Sequence, residues 1–401
     1  MAIQDNASLA LIPSGYKSGK LYSVIPDSGN GDFTHTRGTI GTRVNAAGLI
    51  ETMAIDVPRL DYPLVNGVVQ SCPALLLEPQ RINYSIYSED TSTWTYVEFG
   101  SGSAGTITTG KTDMFGGTNA VQIDFPANAE NVSFRFGHTT SSISSGSVQT
   151  SLYIKLVGST TPDKIIQLRT GSDAENTTIS GDSFVRYTKT HTKASNEAFN
   201  IKLRPSEGTS SGGFSIIVCH PQEEVGSYET SYIPTSGSPV TRSADVCNSA
   251  GTTAEFNDAE SSWFVELQGL AEDNTNKYIT ISDGGGSPYT NSLSIQYRNN
   301  GTLRIFHNGL DFADAIFIGG SSFDLTENHK IAIRFKQNDM AVYIDGVAQS
   351  LNGSFVYQTI SGLDTLRFEQ PNGGNNFYGK VKQLLVFKTA LSDSDLATLT
   401  S

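Results

Sequence analysis

Apolar and polar residues alternate with a period of two along most of this 401-residue chain, and no other feature limits the fold as much. Val121, Ile123 and Phe125 alternate with Gln122 and Asp124. Val132, Phe134 and Phe136 repeat the pattern, as do Leu152, Ile154 and Leu156, then Phe214, Ile216 and Val218. Successive strand side chains point to opposite faces, so each run lays one face on a core and the other in water. The runs recur about every 10–15 residues with Gly-rich punctuation, which predicts sandwiches or jelly rolls. Charged residues make up only 17% of the chain and Gly numbers 39, a composition that excludes a helical bundle or coiled-coil rod. The predicted fold class is all-β: an N-terminal attachment segment followed by two antiparallel β-sandwich (jelly-roll) domains.

The C-terminal third carries the sharpest signals. Ile331, Ile333 and Phe335 alternate with Lys330, Ala332, Arg334 and Lys336, then Met340, Val342 and Ile344 face the same core. Asp345-Gly346 is a two-residue hairpin signal, because a type I′ turn needs positive φ at both positions. Leu293, Ile295 and Tyr297 lead through Asn299-Asn300-Gly301 into Leu303 and Ile305, extending a meander. Ser392 to Asp395, ahead of Leu396 and Leu399, predicts one capped short helix. Trp94 and Trp263 stand at strand starts and are expected in cores. Breaks in the pattern divide the chain into 1–82, 83–240 and 241–401. The first part is short of long strands and holds Pro58, Pro63, Pro73 and Pro79. Such a segment gains from a symmetric partner, so a homo-oligomer is expected.

Charge narrows the partners. With Lys and Arg at 27 against 40 Asp and Glu, the net charge is −13, which repels phosphate backbones and anionic membranes. No nucleic acid and no membrane insertion are expected, the apolar runs being far shorter than the roughly 20 residues of a spanning helix. Leu9 to Pro13 is too short for the apolar core of a secretory signal, so no export label is expected. Cys72, Cys219 and Cys247 show no metal-ribbon spacing and are expected to be buried small hydrophobes.

Several phrases then resemble tailed-bacteriophage virion proteins. They are Asp32-Phe33 with Arg37, Thr42-Arg43-Val44-Asn45, Gly48-Leu49-Ile50-Glu51, and Pro58-Arg59-Leu60-Asp61-Tyr62. Cys72 to Arg81, Tyr84, Tyr87 to Asp90, Trp94, and Gly226 to Gly237 continue the order. In phage fibre-like proteins such phrases introduce and close a carbohydrate-binding-module-like jelly roll. The C-terminal third, with Tyr343-Ile344-Asp345-Gly346 and Phe377-Tyr378-Gly379-Lys380-Val381, is similar to concanavalin-A-like, laminin-G-type domains. The resemblance implies a virion fibre or appendage protein, assembled in the host cytoplasm and trimeric. Residues 1–82 would dock to other virion proteins, and the sandwiches would contact host-surface glycans.

Catalysis has little support in the sequence. The glucanases of this fold carry Glu-x-Asp-x-x-Glu on one strand, and the nearest match here, Glu255 to Glu260, does not fit. Glu223 and Glu224 would point to opposite faces, and loop acids are expected in solvated turns. His35, His138, His191, His220, His307 and His329 lack nucleophile or metal spacing and are expected at the surface or in turns. No enzyme is expected, the rival reading being a glycan depolymerase and a third a decoration protein without ligand. Laminin-G-like domains often hold Ca²⁺, for which Asp283, Asp311, Asp314 and Asp339 are the loop acids available, although no contiguous calcium loop is present. Sugar binding needs aromatics for the apolar ring face and amides or acids for hydroxyls. The candidates are Tyr289 with Asn291 in one loop, and Asn372, Asn375, Asn376 and Tyr378 in another.

Overall fold

The computed structural model describes residues 2–13, 21–65, 67–98, 104–127, 129, 132–136, 146–158, 163–170, 173–193, 201–205, 213–285, 290–307, 316–318, 324–351 and 359–401. Strands dominate these residues. The alternating runs form strands as the sequence predicts. Ala120–Phe125, Val132–Arg135, Gly146–Leu156 and Phe214–Val225 place Val121, Ile123, Phe125, Phe134, Leu152, Ile154, Leu156, Ile216 and Val218 in one buried cluster with Trp94 and Phe136. Two five-stranded antiparallel sheets enclose that cluster, one running from Thr95–Glu98 to Asp173–Ile179, the other from Thr106–Lys111 to Val185–Lys193. This is the jelly roll expected of the middle of the chain.

The second sandwich packs an eight-stranded sheet on a five-stranded one. Glu260–Gly269 lies between His329–Lys336 and Gly379–Phe387 in the larger sheet. Lys277–Ser282, Ser292–Tyr297, Leu303–His307, Ile316–Ile318 and Thr365–Arg367 make the smaller one. Trp263, Val265, Ile331, Ile333 and Phe335 meet Ile279, Ile281, Leu293, Ile295 and Leu366 between the sheets. Asp345 and Gly346 turn the hairpin at φ 49° and 81°, the positive pair that a type I′ turn requires. The helix Asp393–Thr400 starts at a Ser392 capping box and lays Leu396 and Leu399 over Phe264, Leu385 and Phe387 on the outer face of the larger sheet.

Residues 1–82 do not stand apart as a separate module. Leu9–Leu11 and Ala74–Leu77 both pair with Gly379–Phe387, side by side along its free edge. Arg59–Asp61 pairs in turn with Ala74–Leu77. Leu9, Leu11, Leu75 and Leu77 are almost fully enclosed in the core of the C-terminal sandwich. The lean first segment thus finds inside its own chain the partner surface that the sequence assigns to a second copy. The jelly roll, in turn, is entered and left through one ribbon, because Arg81–Asn83 pairs antiparallel with Val240–Arg242. It is an insertion into a sandwich built from both flanks.

Other expectations are corrected by burial. Glu223 and Glu224 are not in a solvated turn: both are enclosed within Phe214–Val225, where Lys193 pairs with Glu223 at 2.6 Å and Thr230 donates to Glu224. His35, His191, His220 and His307 are buried rather than superficial, while His138 lies outside the described residues. Cys219 and Cys247 are buried as expected, but Cys72 is exposed. No helix among the described residues is long and apolar enough to cross a membrane.

Candidate functional site

The two predicted loops lie at opposite ends of one strand. Lys277–Ser282 runs about 13 Å from Tyr278 to Ser282. At the Ser282 end, the Asp283 N–H donates to the Asn291 carbonyl at 3.2 Å. The Asn291 amide donates to Asp283 Oδ2 at 2.9 Å and accepts from the Ser361 N–H at 3.2 Å. Both ends of this side chain staple loops together. Tyr289, its predicted companion, lies outside the described residues, as do Asp311 and Asp314. Asp339 faces Arg334 and Lys336 in ion pairs. Among the described residues, no group of three or more His, Cys, Asp or Glu could hold a metal ion.

At the Tyr278 end sit the other four candidates. The Tyr278 N–H donates to the Asn375 carbonyl at 3.0 Å, and Asn376 bridges to Tyr278. Asn375 takes φ 45°, and its amide donates to Gln370 Oε1 at 2.6 Å. Asn372 is exposed in the same turn. Tyr378 is half-buried, and burial, then the charge of Asp245, pushes its hydroxyl up. The loop therefore gathers exposed amides, with Tyr378 turned inward.

Beside this loop is a cavity of about 260 Å3 lined by Asp273, Asn274, Lys277, Asn299, Asn300 and Thr302, among others. The same chain stretch connects cavity and loop. The Leu270 N–H donates to the Tyr378 carbonyl at 3.3 Å, and Asn276 Oδ1 accepts from the Asn299 N–H at 3.0 Å. Lys277 Nζ pairs with Asp273, and Thr275 donates to the same carboxylate at 2.6 Å. Burial would raise the Asp273 carboxyl, but its hydrogen bonds from Lys277 and Thr275 hold it below the usual range. The cavity is therefore lined with amides, hydroxyls, an ion pair and the further charged groups Glu272 and Arg298, all able to hydrogen-bond sugar hydroxyls. Asn274 sits at φ 58°, a backbone position that Asn tolerates better than most residues, and it belongs to a stretch whose only sequence signal is a polar turn.

A larger cavity of about 380 Å3 lies where the first segment, the jelly roll and the C-terminal sandwich meet. Thr42, Arg43, Asp61 and Leu64 line it from the first segment, Tyr153, Arg186 and Glu229 to Tyr232 from the middle, and Gln268 to Leu270 with Lys380 from the last. Asp61 pairs with Lys380 at 2.9 Å, and Arg43 Nε donates to Glu51.

Behind this wall is a buried charge cluster. Arg59 donates to Glu78 at 2.6 Å and also pairs with Asp245. Arg37 Nη1 donates to Asp245 at 3.1 Å, His35 Nε2 lies 3.2 Å from the same oxygen, and the Glu78 N–H donates to Asp245 at 2.8 Å. Arg242 lies 2.8 Å from Glu78, whose oxygens also accept from the Ser231 N–H and hydroxyl, each at 2.7 Å. All five charged side chains are essentially inaccessible. Burial opposes ionisation of Glu78, but Arg242 and Arg59 beside it hold its carboxyl down to about 2. Asp245 is likewise held low by Arg59 and His35 against its burial.

Glu78 and Asp273, one in each cavity, are both displaced downward, away from the raised affinity for a proton that a glycosidase acid needs. Glu224 is pushed up by burial, but it lines neither of these two cavities and is tied by Thr230 and Gln222.

Residues 261–397 match the model of the concanavalin A-like lectin/glucanases superfamily. No curated protein sequence matches the chain. Among solved structures, the CBM40 of the Ruminococcus gnavus IT-sialidase is similar at 12% identity, covering 36% of this chain and 84% of that one, with a TM-score of 0.31. A heptameric SAP-like pentraxin from Limulus polyphemus is similar at 16% identity, over 35% of this chain and 70% of that one, with a TM-score of 0.29. The NanB sialidase of Streptococcus pneumoniae is similar at 14% identity, over 37% and 25%, also at 0.29.

Proposed function

We propose that this chain is a non-catalytic adhesion protein that binds glycans through its C-terminal sandwich, in the manner of a phage virion fibre or appendage. The observation that carries the reading is the 260 Å3 cavity of amides and hydroxyls on a lectin-like domain. The order of phage-like phrases across the first 237 residues supports the virion setting. The downward-displaced carboxylates of both cavities favour binding over hydrolysis. Residues 1–82 would meet other virion proteins, and Ile40, Ile55, Val65 and Val68 expose apolar surface there for a neighbouring subunit.

Such a cavity exchanges water contacts for hydroxyl contacts almost evenly, so single-site affinity is weak. Several copies engaging together raise avidity about 10²–10⁴-fold. Asn299→Ala with Asn300→Ala is expected to cut binding of assembled protein to host cells or a glycan array at least tenfold, with the melting curve unchanged. Equal binding by the folded variant would remove this cavity from the account. Absence of binding by the wild type to any host surface would favour an inert decoration protein. Light scattering is expected to give about three times the 43.0 kDa of one chain, and a monomer at micromolar concentration would defeat the trimer.

A further inference from the structure

We propose that the 380 Å3 cavity at the three-way junction is a second ligand site, and that it takes a sugar residue carrying a carboxylate. Its volume falls in the range of small-ligand sites, about 300–1,000 Å3. The argument starts from the charges on its wall. Arg43 is matched by Glu51, Asp61 by Lys380, and Glu78 by Arg59 and Arg242. Arg186 is different. Its Nη2 donates to Ser151 Oγ at 2.8 Å and its guanidinium lies 5.7 Å from the Tyr153 ring centre. No carboxylate among the described residues forms an ion pair with it, and its buried Nε has no hydrogen-bond partner among them.

A guanidinium placed over an aromatic ring and tied by one hydroxyl is restrained, and a carboxylate meets its fork with two parallel bonds. Glu229, exposed on the same lining, and the enclosed Glu224 and Glu78 act on Arg186 through space without pairing with it, so its fork stays open to a carboxylate that can reach it directly. The rest of the wall suits a sugar ring. Leu64, Val185 and Leu270 offer apolar surface to ring C–H groups, and Gln268, whose Nε2 donates to the Thr326 carbonyl, has an amide oxygen able to accept from hydroxyls. The site is independent of the Asn299–Asn300 cavity, so it stands whether or not that reading holds.

The test is saturation-transfer NMR on the full chain with D-glucuronate, D-glucose and acetate as probes. Saturable glucuronate binding is expected, with D-glucose and acetate each at least tenfold weaker. Arg186→Gln is expected to weaken glucuronate at least tenfold, and Arg186→Lys by less, since it keeps the charge and loses the fork. Asn299→Ala with Asn300→Ala is expected to leave glucuronate binding intact, which separates this site from the first. Thermal melts of both Arg186 variants check the fold, and Arg186→Lys is the arm that counts if Arg186→Gln does not fold. No saturable glucuronate binding, or binding unchanged in a folded Arg186 variant, overturns the site. Equal binding of glucose overturns the anion assignment, and equal binding of acetate overturns the sugar assignment.

Discussion

Asp245→Asn is expected to cost about 3–5 kcal/mol of stability, because it removes one of two carboxylates that face three enclosed guanidinium groups. Asp245 holds Arg37, Arg59, His35 and the Glu78 N–H at once. The asparagine fills the same space but leaves Arg37 and Arg59 without that counter-charge away from water. Asp27→Asn, at an exposed position, is the matched control and is expected to stay within about 0.5 kcal/mol. Urea denaturation of both variants checks this. A loss under about 1 kcal/mol for Asp245→Asn would show that the cluster relaxes or admits water.

Stability is expected to fall in two stages as pH drops. Burial pushes His307 down to about 4, and the ring packs against Phe335 at 5.6 Å. Between about pH 6.5 and 4 the unfolded chain takes a proton at this ring that the folded chain refuses. The contribution is whole above pH 6.5 and is lost toward pH 4, by roughly 2–3 kcal/mol. His307→Leu is expected to flatten the slope of unfolding free energy in that window, whatever it does to stability at pH 7. The second stage belongs to Glu78, whose folded-state value lies below its unfolded one. Its stabilisation is present above about pH 4.5 and disappears as pH falls toward 2. Urea midpoints taken at half-unit pH steps resolve the stages. A flat wild-type profile from 6.5 to 4 would mean that His307 is wetter than its packing shows.

What could be read in the sequence depended on how local the cause was. The turn at Asp345-Gly346 and the cap at Ser392 were legible because two to four neighbouring residues decide them. The alternating strands were legible because their second face carries polar side chains, whether wet as at Gln122 and Asp124 or covered as at Ser292 and Ser294. Ala74–Leu77 was not, since both of its faces are covered and an unbroken apolar run carries no period. Glu223 and Glu224 misled for the related reason that Lys193 and Thr230 come to them from elsewhere in the chain. The charge cluster draws Arg37, Arg59 and Glu78 from one flank and Arg242 and Asp245 from the other, so no local motif marks it. The junction cavity takes residues from all three segments and was missed for the same reason. The separation of the two candidate glycan loops along Lys277–Ser282 was not legible, because strand pairing far from either loop sets it. Asn291 is used up inside the fold, and the amides of Asn274, Asn299 and Asn300 line the cavity instead.

The ribbon formed by Arg81–Asn83 and Val240–Arg242 has an evolutionary reading. Paired strands hold their Cα atoms about 5 Å apart, so everything from 84 to 239 hangs from two points that almost touch. A recombination event with crossovers at those two points exchanges the whole jelly roll in a single cut and splice. The recipient sandwich keeps both of its halves, its helix and every strand of its larger sheet. The acidic and basic members of the charge cluster all lie outside the exchanged stretch, so they travel with the recipient. Selection can therefore act on a replaceable cartridge, while the frame that holds it is inherited unchanged.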